Sequence, residues 1–309
     1  MIDNLIISRS NWYGLTRDVE ILRSAIEAVG GYCEHVAPRS RPLIDRLLRR
    51  GIARHAFHVE RAFPQWFSAA EKHFLIPNQE RFPKRHLHRL RKIDRVLAKT
   101  RSAEAVFAAL HVPTAYVGFT SLDRRNVGVS KDNRLLHIAG GSTLKGTEDI
   151  LALWGQRQDW PQLVLVQKKE NAPARIPTNV TLHAGFLEES ALTQLMNACR
   201  IHICPSRSEG WGHSIVEAMS CSAVVITTDA PPMNELVSAD YGLLVPVACH
   251  EPRHLGISYY VDRSALEQAI GSAIALSTSE LQRRGTVARQ VYERQRDAFA
   301  ARIESFVAR

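Results

Sequence analysis

An α/β fold divided between two domains is what this sequence predicts, and three observations carry that expectation. Short apolar runs alternate with helical stretches, the pattern of parallel strands covered on both faces by helices. The chain has 309 residues, long for a single core and suited to two. Its charge is also divided: residues 1–130 hold 22 Lys and Arg against 12 Asp and Glu, whereas residues 131–309 hold 18 against 19.

The elements follow in order. Asn4-Leu5-Ile6-Ile7-Ser8 reads as a first strand and Thr16 to Val29 as a first helix, ended by Gly30-Gly31 as helices commonly are. His73-Phe74-Leu75-Ile76-Pro77 is a strand halted by its proline, and strands at 93–98 and 114–117 follow. In residues 39–55 the arginine-rich run RSRPLIDRLLRRGIARH spaces Leu43, Ile44, Leu47, Leu48 and Ile52 as one helical stripe. That stripe suits either an interfacial helix or packing on the domain's own core. The polar stretch 118–133 is the expected linker. The second half then repeats strand and helix: a strand at 135–141, a helix from Lys145-Gly146-Thr147 through Trp154, and strands at 163–167 and 180–184. A helix from Ser190 to Arg200 precedes strands at 201–204, 223–227 and 242–246, and helices over 264–277 and 280–307 close the chain. The expected division is an N-terminal domain over 1–125, a C-terminal domain over 126–280, and a helix over 281–309 returning toward the first domain.

Composition narrows the function. The five cysteines (Cys33, Cys199, Cys204, Cys221, Cys249) show no metal-ligand spacing, so reduced, buried thiols in a cytoplasmic protein are expected. No stretch approaches the length of a membrane span, and the start is too short in apolar residues for a signal peptide. The basic first half suggests an anionic partner; a solvated basic face and an anionic membrane surface both fit. No zinc finger, aromatic RNA-binding string or helix-turn-helix pattern is present, so nucleic acid is not an expected partner. No first strand leads into a G-x-G-x-x-G turn, which argues against an oxidoreductase.

The most informative stretch is PSRSEGWGHSIVEAMSCSAVVITTDAPPMNE, residues 205–235. It runs from the end of one buried strand through a glycine-bearing turn and a helix into another strand, a unit whose ligands sit outside the carboxyl ends of its strands. Glu209 stands at such an end, and Glu217 lies about two helical turns beyond it. Two carboxylates repel each other beside a phosphate, but they make sense as acceptors of sugar and ribose hydroxyls while the helix start faces the phosphate. Lys145 is a second anchor: Gly140-Gly141-Ser142-Thr143 followed by Lys145-Gly146 places amides and an ammonium where phosphate can bind. A cation at a helix N-terminus opposes the macrodipole, and an anion between them resolves the conflict. A solvated helix-start lysine is the plainer alternative.

The string P-S-x-x-E-G-aromatic-G-x-x-x-x-E-A-M, met here by Glu209, Gly210, Trp211, Gly212, Glu217, Ala218 and Met219, resembles the signature of retaining glycosyltransferases of family 4. The resemblance covers about residues 130–250. It implies the GT-B fold, two Rossmann-like domains facing each other across a cleft. It also implies transfer of a hexose from a nucleotide-diphosphate sugar to a glycan or lipid-linked acceptor, as in cell-surface polysaccharide or lipopolysaccharide synthesis, with no metal or other cofactor. In the implied site Glu209 and Lys145 are the catalytic pair, with Gly141, Ser142, Thr143, Gly210, Trp211, Gly212, His213 and Glu217 around the donor and Gly185-Phe186-Leu187 beside the base. Relatives often carry an arginine near Ala139 or Gly140; this chain has none there, leaving Ser142, Thr143 or Lys168 to compensate. On the acceptor side, Asn11-Trp12-Tyr13-Gly14 resembles the family's first glycine loop, with Gly14 alone where two glycines are usual. Asn78 and Glu80 after the strand ending at Pro77 are the other acceptor-side candidates. His73, His86, His88 and His111 lie where relatives often carry a histidine, and none stands in a matching motif. A non-catalytic sugar-nucleotide sensor is the alternative function, and a cytoplasmic protein, peripheral on the inner face of the membrane, the implied location.

Overall fold

The computed structural model describes residues 2–10 and 14–307, and the chain divides into two compact units. Unit one comprises Met1–Ser121, Pro252–Ile257 and Gln295–Arg309; unit two comprises Leu122–Glu251 and Ser258–Arg294.

Unit one contains β1 (Ile2–Ile7), α1 (Gly14–Ala28), β2 (Cys33–Val36), α2 (Leu43–Leu47), β3 (Ala53–Glu60), β4 (Ala70–Pro77), β5 (Arg95–Ala98), α3 (Arg101–Ala108) and β6 (Thr114–Tyr116). Its six strands form one parallel sheet in the order β2-β1-β3-β4-β5-β6. Leu5, Ile7, Ala53, Phe63 and Trp66 form one apolar core, and Leu75, Phe82, Val96 and Phe107 belong to a second. The sheet holds two strands that the sequence reading did not foresee, β2 and β3. β3 is hidden by its histidines, which read as polar but are buried: His55 bonds Asn4 at 3.1 Å and His58 bonds His73 at 3.1 Å. The stripe expected over 39–55 is corrected here. Only Leu43–Leu47 is helical, its aliphatic side chains are exposed rather than packed on the core, and residues from Ala53 onward belong to β3.

Unit two contains β7 (Asp132–Gly140), α4 (Thr147–Gln156), β8 (Leu163–Gln167), β9 (Val180–Ala184), α5 (Glu189–Ala198), β10 (Cys199–Cys204), α6 (His213–Ser220), β11 (Val224–Thr228), α7 (Met233–Leu236) and β12 (Leu243–Val245). These strands form a second six-stranded parallel sheet, β12-β11-β10-β7-β8-β9. Alternate residues feed opposite faces, as strands buried on both sides require. Leu135, Leu163 and Leu165 join Trp154 of α4 in one core, while Leu136, Val164 and Val166 join Leu192 and Met196 of α5 in the other. β13 (Val247–Arg253) and β14 (Gly256–Val261) make a separate two-stranded sheet, followed by α8 (Arg263–Ile274) and α9 (Thr278–Val307). Late in α9, Phe299 and Phe306 pack within unit one against Phe119 and Phe74, with ring centroids 4.8 and 5.8 Å apart.

Cys33, Cys199, Cys204 and Cys221 are buried and Cys249 is exposed on β13. Burial pushes the first three thiols up to about 12 and that of Cys221 up to about 11. Among the described residues no helix is long and apolar enough to cross a membrane.

Candidate functional site

The second sheet reverses its winding between β7 and β10, which are neighbours although β8 and β9 separate them in the chain. At such a reversal the connections leave on opposite faces, and a crevice opens outside the strand ends. Gly141, Ser142, Thr143 and Lys145 follow β7; Glu209, Gly210, Trp211 and Gly212 follow β10. The two loops touch. Gly146 has a left-handed φ of 68°, and a Cβ there would lie 2.6 Å from the Pro205 carbonyl oxygen. The Arg207 amide donates to the Leu144 carbonyl at 2.8 Å. The Arg207 guanidinium then pairs with Glu148 at 2.7 Å and Asp149 at 3.3 Å on α4.

At this junction Lys145 Nζ lies 2.5 Å from Glu209 Oε1 and donates to Ser214 Oγ at 3.2 Å. Both members of the ion pair are largely buried, so solvent screens them little. Gly212 leads into α6 with φ 111°, where a Cβ would come within 2.9 Å of Leu236 Cδ1. The N-cap of α6 is Gly212, which has no side chain of its own, and the positive end of the helix dipole lies at the loop. Behind the loops, His137 of β7 donates from Nδ1 to the Ile203 carbonyl at 2.7 Å, and its Nε2 accepts from Thr147 Oγ at 2.9 Å. Burial, with the nearby Lys145 charge adding to it, pushes His137 down to about 4 and keeps this tie neutral.

Glu217 lies further along α6 and is almost fully buried. Its Oε2 is 3.0 Å from Nε of Arg124, whose Nη1 donates to Glu189 Oε2 at 2.5 Å. Burial opposes the guanidinium charge, but the two carboxylates outweigh it and raise the Arg124 pKa. The Arg124 main chain is fixed as well: its amide donates to Ser220 Oγ at 3.0 Å and its carbonyl accepts from Asn197 Nδ2 at 2.6 Å. In the sequence Arg124 falls in the expected linker, 118–133. Its partners lie 65 and 93 positions away, on α5 and α6, so no local pattern marks it.

The remaining candidates fall at strand ends. Gly185 follows β9 with φ 110° and its amide donates to the Gln167 carbonyl at 2.9 Å. Phe186 beside it is exposed, and Leu187 packs against the α5 core. His213 opens α6 half-buried, and Trp211 is buried. Ser142 Oγ accepts from the Leu144 amide at 3.1 Å. The Lys168 amide donates to the Gly140 carbonyl at 2.8 Å, while its ammonium pairs with Glu170 at 3.3 Å.

Within unit one, Gly14 opens α1; residues 11–13 of the same candidate loop lie outside the described residues. Asn78 and Glu80 occupy the turn after β4. Glu80 is buried there, and a Cβ on Gly256 would meet its Cα at 3.1 Å, so the turn is packed beneath distant sequence. Of the candidate histidines, His73 is buried in the sheet against His58, and burial lowers its pKa.

Residues 119–273 match the family described as Glycosyl transferases group 1. No curated protein matches by sequence. A glycosyltransferase from Rickettsia africae ESF-5 has a similar structure, with a TM-score of 0.76 at 12% identity over 99% of this chain and 97% of that one. Sucrose-phosphate synthase from Thermosynechococcus elongatus gives 0.74 at 16% identity over 99% and 98%. HepE from Anabaena, in complex with UDP and glucose, gives 0.73 at 14% identity over the whole of both chains. The pair of six-stranded parallel sheets is the GT-B fold of these proteins.

Proposed function

The chain belongs to the Glycosyl transferases group 1 family, and from that premise we propose that it is a retaining transferase of family 4. It moves a hexose from a nucleotide-diphosphate sugar to a glycan or lipid-linked acceptor, in the synthesis of a cell-surface polysaccharide or lipopolysaccharide. The observation that carries this reading is the contact of Lys145 with Glu209 and Ser214 at the start of α6. Without donor, the carboxylate is the lysine's anion. When a diphosphate arrives it takes that place, and Glu209 turns to the hydroxyls of the hexose. The ammonium and the α6 dipole then face the charge that grows on the leaving phosphate, the kind of fixed electrostatic aid that lowers a transition state most. Glu217, held in place by Arg124, presents carboxylate oxygens that accept hydrogen bonds and so suits the ribose hydroxyls. The acceptor attacks from the face the phosphate leaves, and the departing phosphate oxygen takes its proton, which retains configuration. Lys145 supplies the positive charge, so the reaction runs without a metal. The domain over 126–280 binds the donor, and that over 1–125 selects the acceptor.

HepE's complex with UDP and glucose makes UDP-hexoses the first donors to test. The test incubates the protein with UDP-, GDP- and ADP-hexoses in the presence of EDTA and follows nucleotide release. One donor should be slowly hydrolysed, and Lys145→Ala should slow this by about 100-fold or more, the usual loss for one group that stabilises developing charge. Glu209→Ala should abolish it. Donor binding without turnover on any acceptor would favour a sugar-nucleotide sensor, and no binding would sink both readings.

A further inference from the structure

We propose that residues 39–51 form a preformed wedge that seats unit one on an anionic bilayer. Of the nine large apolar side chains exposed among the described residues, four lie here within six positions: Leu43 (64% exposed), Ile44 (55%), Leu47 (71%) and Leu48 (55%). Their spacing puts them on one face of α2 and its last turn. Such clustering on a protein surface marks something that covers it.

The segment is fastened from behind. Arg41 is buried, and its guanidinium donates to the carbonyls of Gln65 and Arg50 at 2.7 Å each, and to the Ser68 hydroxyl at 3.1 Å. One side chain thus ties both ends of the short helix to the body of unit one, and the aliphatic face is held outward. Arg39, Arg46, Arg49 and Arg50 are exposed around it, and the single acid in the stretch, Asp45, is paired with Arg50 at 3.2 Å.

Charge decides what covers the wedge. A second copy on the same face would bring two sets of arginines together, and like charges across an interface oppose it. An anionic bilayer offers acyl chains to the leucines and headgroup phosphates to the guanidinium groups in the same plane. The wedge also sits in the half of the chain that carries the whole positive surplus.

The test is flotation of the full-length protein with vesicles of phosphatidylcholine, alone or with about one third phosphatidylglycerol, at moderate salt. No donor sugar is present, so the outcome is independent of the transferase reading. The protein should float with the anionic vesicles only. Leu43→Ser/Leu47→Ser should cut binding by on the order of tenfold or more. Each of Arg46→Gln and Arg49→Gln should cut it by about fivefold. The residues are exposed, so an unchanged thermal midpoint is expected and confirms that each variant is folded. Failure of the protein to float overturns the proposal, as does flotation that the serine variant leaves intact. A vesicle-free dimer that the serine variant dissociates would assign the face to a second copy and overturn it equally.

Discussion

A guanidinium sealed from water must find its counter-charge inside the protein, and Arg124 finds it in Glu217 and Glu189. The dependence is mutual, since Glu217 is as buried as its partner. Replacing Arg124 with Met leaves a buried carboxylate with its charge unmet, and losses of this kind run to about 3–5 kcal/mol. The thermal midpoint of Arg124→Met should therefore fall well below that of Arg124→Met/Glu217→Gln, in which no lone charge remains. Nucleotide affinity, read by calorimetry, should fall in both, because one loses the guanidinium that orients Glu217 and the other loses the carboxylate as well. Equal midpoints would mean that the pair carries no coupling. Glu217 stood out as a candidate from its spacing to Glu209; its ion-pair partner Arg124 did not, because burial and pairing over so long a stretch of chain leave no periodic trace.

At the level of elements, the contact between the loops after β7 and β10 hangs on one missing side chain. Gly146→Ala would place a methyl group 2.6 Å from the Pro205 oxygen and would also strain a left-handed backbone. Gly30 has φ 80° with nothing within 4 Å, so Gly30→Ala carries the backbone strain alone, about 1 kcal/mol. The first variant should lose donor turnover and stability together, whereas the second should lose only a little stability, measured as nucleotide release and thermal midpoint. The strands that deliver these loops were readable because the apolar stretch of each is broken by a single histidine, His137 in β7 and His202 in β10. β3 was not, because His55 and His58 meet partners that only the folded sheet provides. The aliphatic stripe of residues 39–55 overstated the length of its helix, which covers only Leu43–Leu47, because Ala53 onward pairs into β3.

For the whole molecule, the consequence of so many buried imidazoles is a dependence on pH. Burial holds His58 well below the ordinary histidine value, and it holds His137 at about 4 and His202 at about 3. In the unfolded chain each returns to about 6.5. Between those limits the unfolded state binds protons that the folded state refuses, so stability rises with pH and is lost as pH falls below 6.5. His137 and His202 together approach a slope of about 3 kcal/mol per pH unit toward the acid end of that window. The thermal midpoint should be level above neutrality and drop steeply from pH 6.5 to 4; a flat profile there would contradict neutral burial. The cysteines divide the molecule differently. Four sulfurs are shut inside with their protons held on, and the fifth, Cys249, stands outside on a small separate sheet. The unaltered chain thus has a single address where a maleimide dye, a spin label or a surface tether would attach, with the interior thiols silent while the fold persists.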